Sequence, residues 1–102
     1  MALRMNDAAG WTGNVDSTTG AEAAINGSMP TLFVLARDED VFIRFGGATL
    51  TAADVDNTST AHDRLAPAGI AMLFEIPSGA SVWAALSRTG TAVLTMQPCQ
   101  EV

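Results

Sequence analysis

The sequence of 102 residues has no lysine and no tyrosine, and it contains one cysteine and one histidine. A single cysteine cannot form an intrachain disulfide, so folding does not require an oxidising compartment. The longest apolar run, residues 69–74, is far too short to span a membrane. Residues 1–11 lack the apolar core of a signal peptide. We therefore expect a protein that is made and assembled in a cytoplasm.

Positive charge is also scarce. Eleven acidic residues stand against five arginines, and the net charge is −6. Nucleic acids require clustered cations on their phosphates, and anionic membranes attract basic segments, so neither partner suits this chain. Apolar residues still make up 48% of the sequence, which is enough for the core of one domain. A domain this small buries a modest share of its surface, so oligomerisation is a common further source of stability.

The first 30 residues differ in composition from the rest. They are rich in glycine, alanine, serine, threonine and asparagine, and large apolar residues are sparse. Ser17 or Thr18 could cap a short helix, although Gly20 weakens it. We expect an irregular N-terminal arm over residues 1–30, able to reach a neighbouring subunit, and a folded domain over residues 31–102.

From residue 31 onward the sequence shows short apolar and alternating runs that are typical of β-strands. Such runs lie at residues 31–36, 41–46, 69–76, 80–87 and 91–96, with a possible sixth at 48–51. The loops at 37–40 and 88–90 have lengths that suit β-hairpins. The pattern predicts an all-β fold, a small antiparallel β-sandwich or barrel. The polar segment 46–69 predicts a long loop that is functional, mobile or packed against a partner.

Several predicted strands are apolar on both faces. In the strand at 80–87, Val82 and Leu86 share one face and Trp83 lies on the other. An antiparallel sheet usually exposes one face to water. The second face is therefore expected to be covered by another subunit or by the N-terminal arm. Burying each such side chain at an interface contributes about 1.5–3 kcal/mol.

No arrangement of residues predicts catalysis. His62 is followed by Asp63, but no serine or cysteine motif accompanies this dyad, and an exposed loop histidine is the simpler interpretation. A single histidine also excludes a metal site with several histidine ligands. Cys99 has no basic neighbour that would lower its pKa, so a reactive thiolate is not expected. We expect no enzyme activity and no cofactor.

Acidic residues near position 54 resemble the start of a calcium loop. An EF-hand beginning at Asp54 would need glycine at its sixth position and glutamate at its twelfth. Ser59 and Leu65 stand there instead, so no EF-hand is present. No metal site is predicted, and an irregular calcium site remains an alternative.

Trp11 and Trp83 are the candidate partner-binding residues, because tryptophan is enriched at the energetic centres of interfaces. For Trp83 the alternative is a place in the core. For Trp11, which lies in a segment with few apolar neighbours, an interface role and a packing role are equally open.

Residues 31–97 resemble small structural proteins of tailed bacteriophages and gene-transfer particles. The similarity lies in DVFIRFGGATLTAADVD (40–56) and DRLAPAGIAMLFEIPSGASVWAALSRTGTAVLTMQ (63–97). Shared features are a strand ending in R-F-G, an acidic loop, an L-x-P-x-G turn, a strand closing on I-P-x-G and a last pair of strands around T-G-T. The resemblance implies a β-sandwich or barrel on a virion, in a homotrimer or another symmetric oligomer, and it implies no catalytic residues.

The expected function is therefore that of a virion structural protein. The leading hypothesis is a capsid decoration, or cement, protein that binds the major capsid protein as a homo-oligomer, with a trimer favoured. The alternative is a head-spike, fibre or tail-tip module that recognises a glycan or a host receptor. A third hypothesis, a small hydrolase at a trimer interface, would use His62 and Asp63.

Overall fold

The computed structural model describes residues 3–5, 10–25, 30–58 and 63–101. These residues form nine strands and one 3₁₀ turn at Ala52–Asp54. None of them forms a helix that could cross a bilayer. The strands are β1 (Leu3–Met5), β2 (Trp11–Asp16), β3 (Ala21–Ala24), β4 (Thr31–Arg37), β5 (Val41–Gly46), β6 (Arg64–Ala66), β7 (Ala71–Glu75), β8 (Val82–Ser87) and β9 (Thr91–Glu101).

The strands form two sheets that pack face to face. In the first sheet β9 pairs with β4, and β4 pairs with β7. The short β1 and β2 lie one after the other along the opposite side of β9, so five strands fill four positions. The second sheet has the order β3-β8-β5-β6. All pairings between these strands are antiparallel, which confirms the predicted all-β sandwich.

The strand pairings are those of one long antiparallel hairpin that folds over into two sheets. β2 pairs with β9, β3 with β8, β4 with β7, and β5 with β6. Two further pairings, β4 with β9 and β5 with β8, form when this double ribbon wraps into two sheets. Eight strand positions in two sheets with this wrapping form a jelly roll. The loop between β5 and β6 is the tip of the rolled ribbon.

Neither predicted hairpin forms. β4 and β5 lie in different sheets, and so do β8 and β9. The loops at 38–40 and 88–90 are corners at which the chain passes from one sheet to the other, and Arg88 donates a backbone hydrogen bond to the carbonyl of Asp40 across them (2.8 Å). A short polar loop reverses the chain in either arrangement, so its length does not determine whether the flanking strands pair.

The described part of the N-terminal segment is regular, contrary to the irregular arm and short helix expected there. β2 and β3 enter different sheets, and Val15 is fully buried in the core. The turn between them is organised by Asp16, which accepts backbone hydrogen bonds from Thr18, Thr19 and Gly20. These local hydrogen bonds to an aspartate side chain compete with helix formation.

The main core lies between the two sheets. Its fully buried large side chains include Ile43 on β5 and Leu94 and Met96 on β9. Alternate residues of β8 follow the strand period, so Trp83 and Ala85 face this core.

The outer face of the second sheet is covered by the chain itself. Phe42 and Leu86 point away from the main core, yet both are buried. They form a second cluster with Ala52 and Val55 of the loop between β5 and β6, and Leu50 packs against its side. The apolar second face of β8 is therefore shielded by this loop, and the expected cover by another subunit or by the N-terminal arm is not needed there.

Candidate interaction surface

The acidic residues of the loop between β5 and β6 are engaged in structural contacts. Asp63, whose side chain is fully buried, accepts hydrogen bonds from Arg44 Nε (2.6 Å) and a terminal guanidinium nitrogen (3.3 Å). The backbone N–H of Asp56 donates a third hydrogen bond to it (2.7 Å). The hydrogen bond that Arg44 donates to Asp63 raises the pKa of Arg44. Asp63 therefore fastens the loop to β5, while His62, its neighbour in the predicted dyad, lies outside the described residues.

The calcium-like stretch has a similar structural explanation over its described residues. Asp54 accepts the backbone N–H of Thr51 (2.9 Å) and closes the 3₁₀ turn. Asp56 accepts the backbone N–H and the hydroxyl of Thr58 (2.9 and 2.6 Å). Within residues 10–25, 30–58 and 63–100, no three histidine, cysteine or acidic side chains converge on a point that could hold a metal ion.

Among the residues that the structure describes, two other side chains, Asp16 and Cys99, have shifted pKa values, and each shift is caused by immediate neighbours or by burial. The backbone N–H of Gly20, with the hydroxyl and N–H of Thr19, holds the pKa of Asp16 well below its usual range. Burial raises the pKa of the Cys99 thiol, which favours its protonated form. These two groups lie far apart, because Asp16 pairs with Thr91 at one end of β9 and Cys99 lies near the other end of that strand.

The two tryptophans contact each other across the sandwich. Trp11 on β2 and Trp83 on β8 pack edge to face, with ring centroids 4.8 Å apart and planes at 69°. Trp83 is only 3% exposed, which agrees with the core alternative considered for it, and Trp11 is half-buried. Trp83 therefore presents little surface to a partner, and a partner-binding role for either tryptophan remains a prediction.

A small cavity of about 90 Å³ lies beside the tryptophan pair, lined by Gly10, Trp11, Ala23, Ala24, Ile25, Leu32, Trp83, Met96 and Pro98. Pockets for ligands of drug size occupy roughly 300–1,000 Å³. None of the lining side chains is charged, and polar and apolar atoms contribute about equally to the cavity surface. The cavity is therefore too small for a ligand of drug size, and no charged group in it would fix the orientation of a ligand.

The exposed apolar surface is concentrated at β7. Ile70 and Leu73 are the two large hydrophobic side chains that stand out as exposed among the described residues, at 54% and 42%. Both belong to the segment Ile70–Ile76, which contains β7. β7 is also an edge strand, because it pairs with β4 on one side and no described strand pairs with it on the other.

An apolar strip extends from β7 onto the outer face of the first sheet. Phe33 pairs with Leu73, and Leu35 pairs with Ala71. Phe33 and Leu35 are half-buried, and they belong to neither buried cluster. We call these four residues the apolar strip. On the second sheet, the corresponding outer face is covered by the loop between β5 and β6.

The backbone of β7 presents hydrogen-bonding groups to its free edge. The N–H of Ile76 donates to the carbonyl of Pro30, just before β4 (2.8 Å). Successive residues of a strand direct their backbone groups to opposite sides. Met72 and Phe74 therefore pair towards β4, as Ile76 does, while the N–H and C=O groups of Ala71, Leu73 and Glu75 point to the free edge.

The alternation of β7 was visible in the sequence, but its edge position was not. Met72 and Phe74 face inward and Ala71, Leu73 and Glu75 face outward, as the period of two predicted. Only the order of strands shows that this segment lacks a second neighbour. The sequence feature that could have drawn attention to this edge is the run 70–76, which has one charged residue and no proline or glycine and lies between Gly69 and Pro77.

The comparisons with known proteins add no relative. No protein-family model, curated protein or solved structure matches this chain.

Proposed function

We propose that this chain is a non-enzymatic structural protein of a virion, a capsid decoration protein that acts as a homo-oligomer on the head surface. The observation that supports this most strongly is the combination at β7 of an open sheet edge, two exposed large hydrophobic side chains and the apolar strip. Natural proteins usually protect edge strands with charges, proline or a covering segment. An unprotected apolar edge is typical of a surface that binds another chain.

The fold and the charge are compatible with this proposal. Jelly rolls are used by viral capsid domains, although the same architecture serves lectins and cupins, so the fold alone does not decide the function. The resemblance of residues 31–97 to phage structural proteins supports the virion assignment. The net charge of −6 disfavours a direct role in holding the nucleic acid inside the head.

Oligomerisation would give the protein its stabilising effect. A symmetric oligomer presents several identical contacts to neighbouring capsid subunits, and linked contacts bind more tightly than each contact alone. Such a protein needs rigid surfaces and no reactive side chain. The resemblance favours three subunits, while the edge of β7 favours a pair.

The proposal is tested by co-sedimentation of the purified protein with heads of the phage or particle whose genome encodes it. We expect saturable binding to heads, a rise in the temperature at which heads release their DNA, and no binding to host cells. Binding to cells and not to heads would contradict the decoration role and would support the fibre or tail-tip alternative. Bovine serum albumin at the same concentration controls for trapping in the pellet.

A further inference from the structure

We infer that β7 is the self-association site, where two copies of the chain pair their β7 strands antiparallel about a two-fold axis through Leu73. This inference rests on the proposed function in that it identifies the contact by which the homo-oligomer forms. The pairing would join the two first sheets, of four strand positions each, into one continuous sheet.

The backbone geometry fits this arrangement. Ala71, Leu73 and Glu75 direct their N–H and C=O groups to the free edge, as deduced from the Ile76 N–H and its bond to the Pro30 carbonyl. With Leu73 on the axis, each Leu73 exchanges hydrogen bonds with its copy. Ala71 then exchanges hydrogen bonds with Glu75 of the second copy, because hydrogen-bonded pairs alternate along an antiparallel ladder. No backbone donor within the strand remains unpaired.

The side chains of the segment are self-complementary about the same residue. In IAMLFEI (70–76), an antiparallel pair centred on Leu73 places Ile70 opposite Ile76 of the second copy and Met72 opposite Phe74. Met72 and Phe74 lie on the inward side, and the two Leu73 side chains meet on the outward side. Aliphatic and aromatic cross-strand pairs of this kind stabilise antiparallel sheets. A two-fold interface requires such self-complementarity.

The distribution of charge favours the β7 edge over the other sheet edges as a contact between two acidic chains. Two copies with a net charge of −6 repel each other, so a contact must avoid opposing carboxylates. In the register centred on Leu73, the one charged residue, Glu75, lies opposite Ala71 of the second copy. The other described edges fit less well, because β6 and β3 have three and four residues, and the outward side chains Thr12 and Asn14 of β2 are polar.

The pairing predicts a dimer as the basic unit, in place of the trimer that the resemblance implies. It also extends the apolar strip, because Leu73, Phe33 and their copies become adjacent on one face of the joined sheet. That larger face is where the dimer would contact the capsid. Residue 73 is the centre of symmetry, which makes it the position to test.

The test uses opposite charges at residue 73. Leu73 is 42% exposed in the single chain, so Leu73→Lys and Leu73→Glu should fold normally. Each variant alone would place two like charges on the axis, and we expect its dimer dissociation constant in sedimentation equilibrium to rise at least tenfold. An equimolar mixture should recover dimers, because lysine then faces glutamate. Thr12→Lys, exposed on the opposite edge of the same sheet, should dimerise like the unmodified chain.

Amide hydrogen exchange provides an independent measurement. The N–H groups of Leu73 and Glu75 should exchange at least tenfold more slowly at concentrations where the dimer forms, whereas Met72 and Phe74 should be protected at every concentration. A chain that stays monomeric at 100 µM, or a dimer that Leu73→Lys does not weaken, would overturn the inference. Head binding by such a chain would leave the decoration role intact, and β7 pairing without head binding would contradict that role alone.

Discussion

The ion pair between Arg44 and Asp63 should respond very unequally to removal of its two members. The side chain of Asp63 is fully buried, whereas that of Arg44 is 30% exposed. Arg44→Met would leave a buried carboxylate with one described donor, the backbone N–H of Asp56. Breaking a buried pair in this way costs about 3–5 kcal/mol, because the remaining charge is uncompensated.

Asp63→Asn should be milder. The amide oxygen can still accept the N–H of Asp56, and water can reach the guanidinium that is left. The loss is that of hydrogen bonds to a charged group, about 1.5–3 kcal/mol. In the double variant Arg44→Met with Asp63→Asn, neither charge is present. Its free energy of unfolding should exceed that of Arg44→Met alone, although it carries one more substitution.

Urea unfolding followed by tryptophan fluorescence measures these free energies by linear extrapolation. Hydrogen exchange at Asp54 and Val55, whose N–H groups are bonded within the loop, should increase in Arg44→Met at lower denaturant than is needed for global unfolding, because the loop is released. Equal losses in the two single variants, or a double variant equal to their sum, would refute the argument that burial of Asp63 makes the pair asymmetric. Arg37→Met, at an exposed arginine, is the control and should change stability by less than about 0.5 kcal/mol.

Three further predictions concern two turn glycines, the stability of the fold at low pH and the buried tryptophan. Gly20→Ala should destabilise the fold far more than Gly69→Ala does. Both glycines have positive φ, but a Cβ at Gly20 would collide with the carbonyl of Ala85, whereas the space around Gly69 is open. In urea unfolding, Gly69→Ala should cost about 1–2 kcal/mol. The pKa of Asp16 is lower in the folded chain than in the unfolded chain, so Asp16 stabilises the fold above its unfolded pKa of about 3.9, and this stabilisation is lost as the pH falls towards the folded pKa. Asp16→Asn should therefore lessen the decrease in the free energy of unfolding below about pH 4. An unchanged decrease would contradict this prediction. Trp83→Ala should cost about 3–5 kcal/mol in the same unfolding assay, since the ring is buried in the core, and a loss below about 1 kcal/mol would argue against that packing.

The sequence was sufficient for the fold class but not for the strand order. The alternation in β7 and the two-sided apolar character of β8 predicted strands in a sandwich, and both are found. The partners of each strand were not predictable, because the loop at 88–90 suits a hairpin and a corner equally. The strands β2 and β3 were missed, since their small and polar residues lack the apolar alternation, and only Val15 on β2 lies fully buried.

The same limit explains why the sequence could not distinguish which of the strands with two apolar faces has a face that the chain itself leaves uncovered. Apolar side chains on both faces of β8 predicted a second face that needs cover, and Ala52 and Val55 of the loop between β5 and β6 provide that cover. β7 lies in the other sheet, where no described segment plays this part, and its free edge adds unpaired backbone groups to the exposed Leu73. Side-chain burial alone contributes about 1.5–3 kcal/mol per residue, and an edge also supplies directional hydrogen bonds that specify one register. Under the proposed self-association, β7 is the one described strand at which exposed large apolar side chains and a free sheet edge coincide.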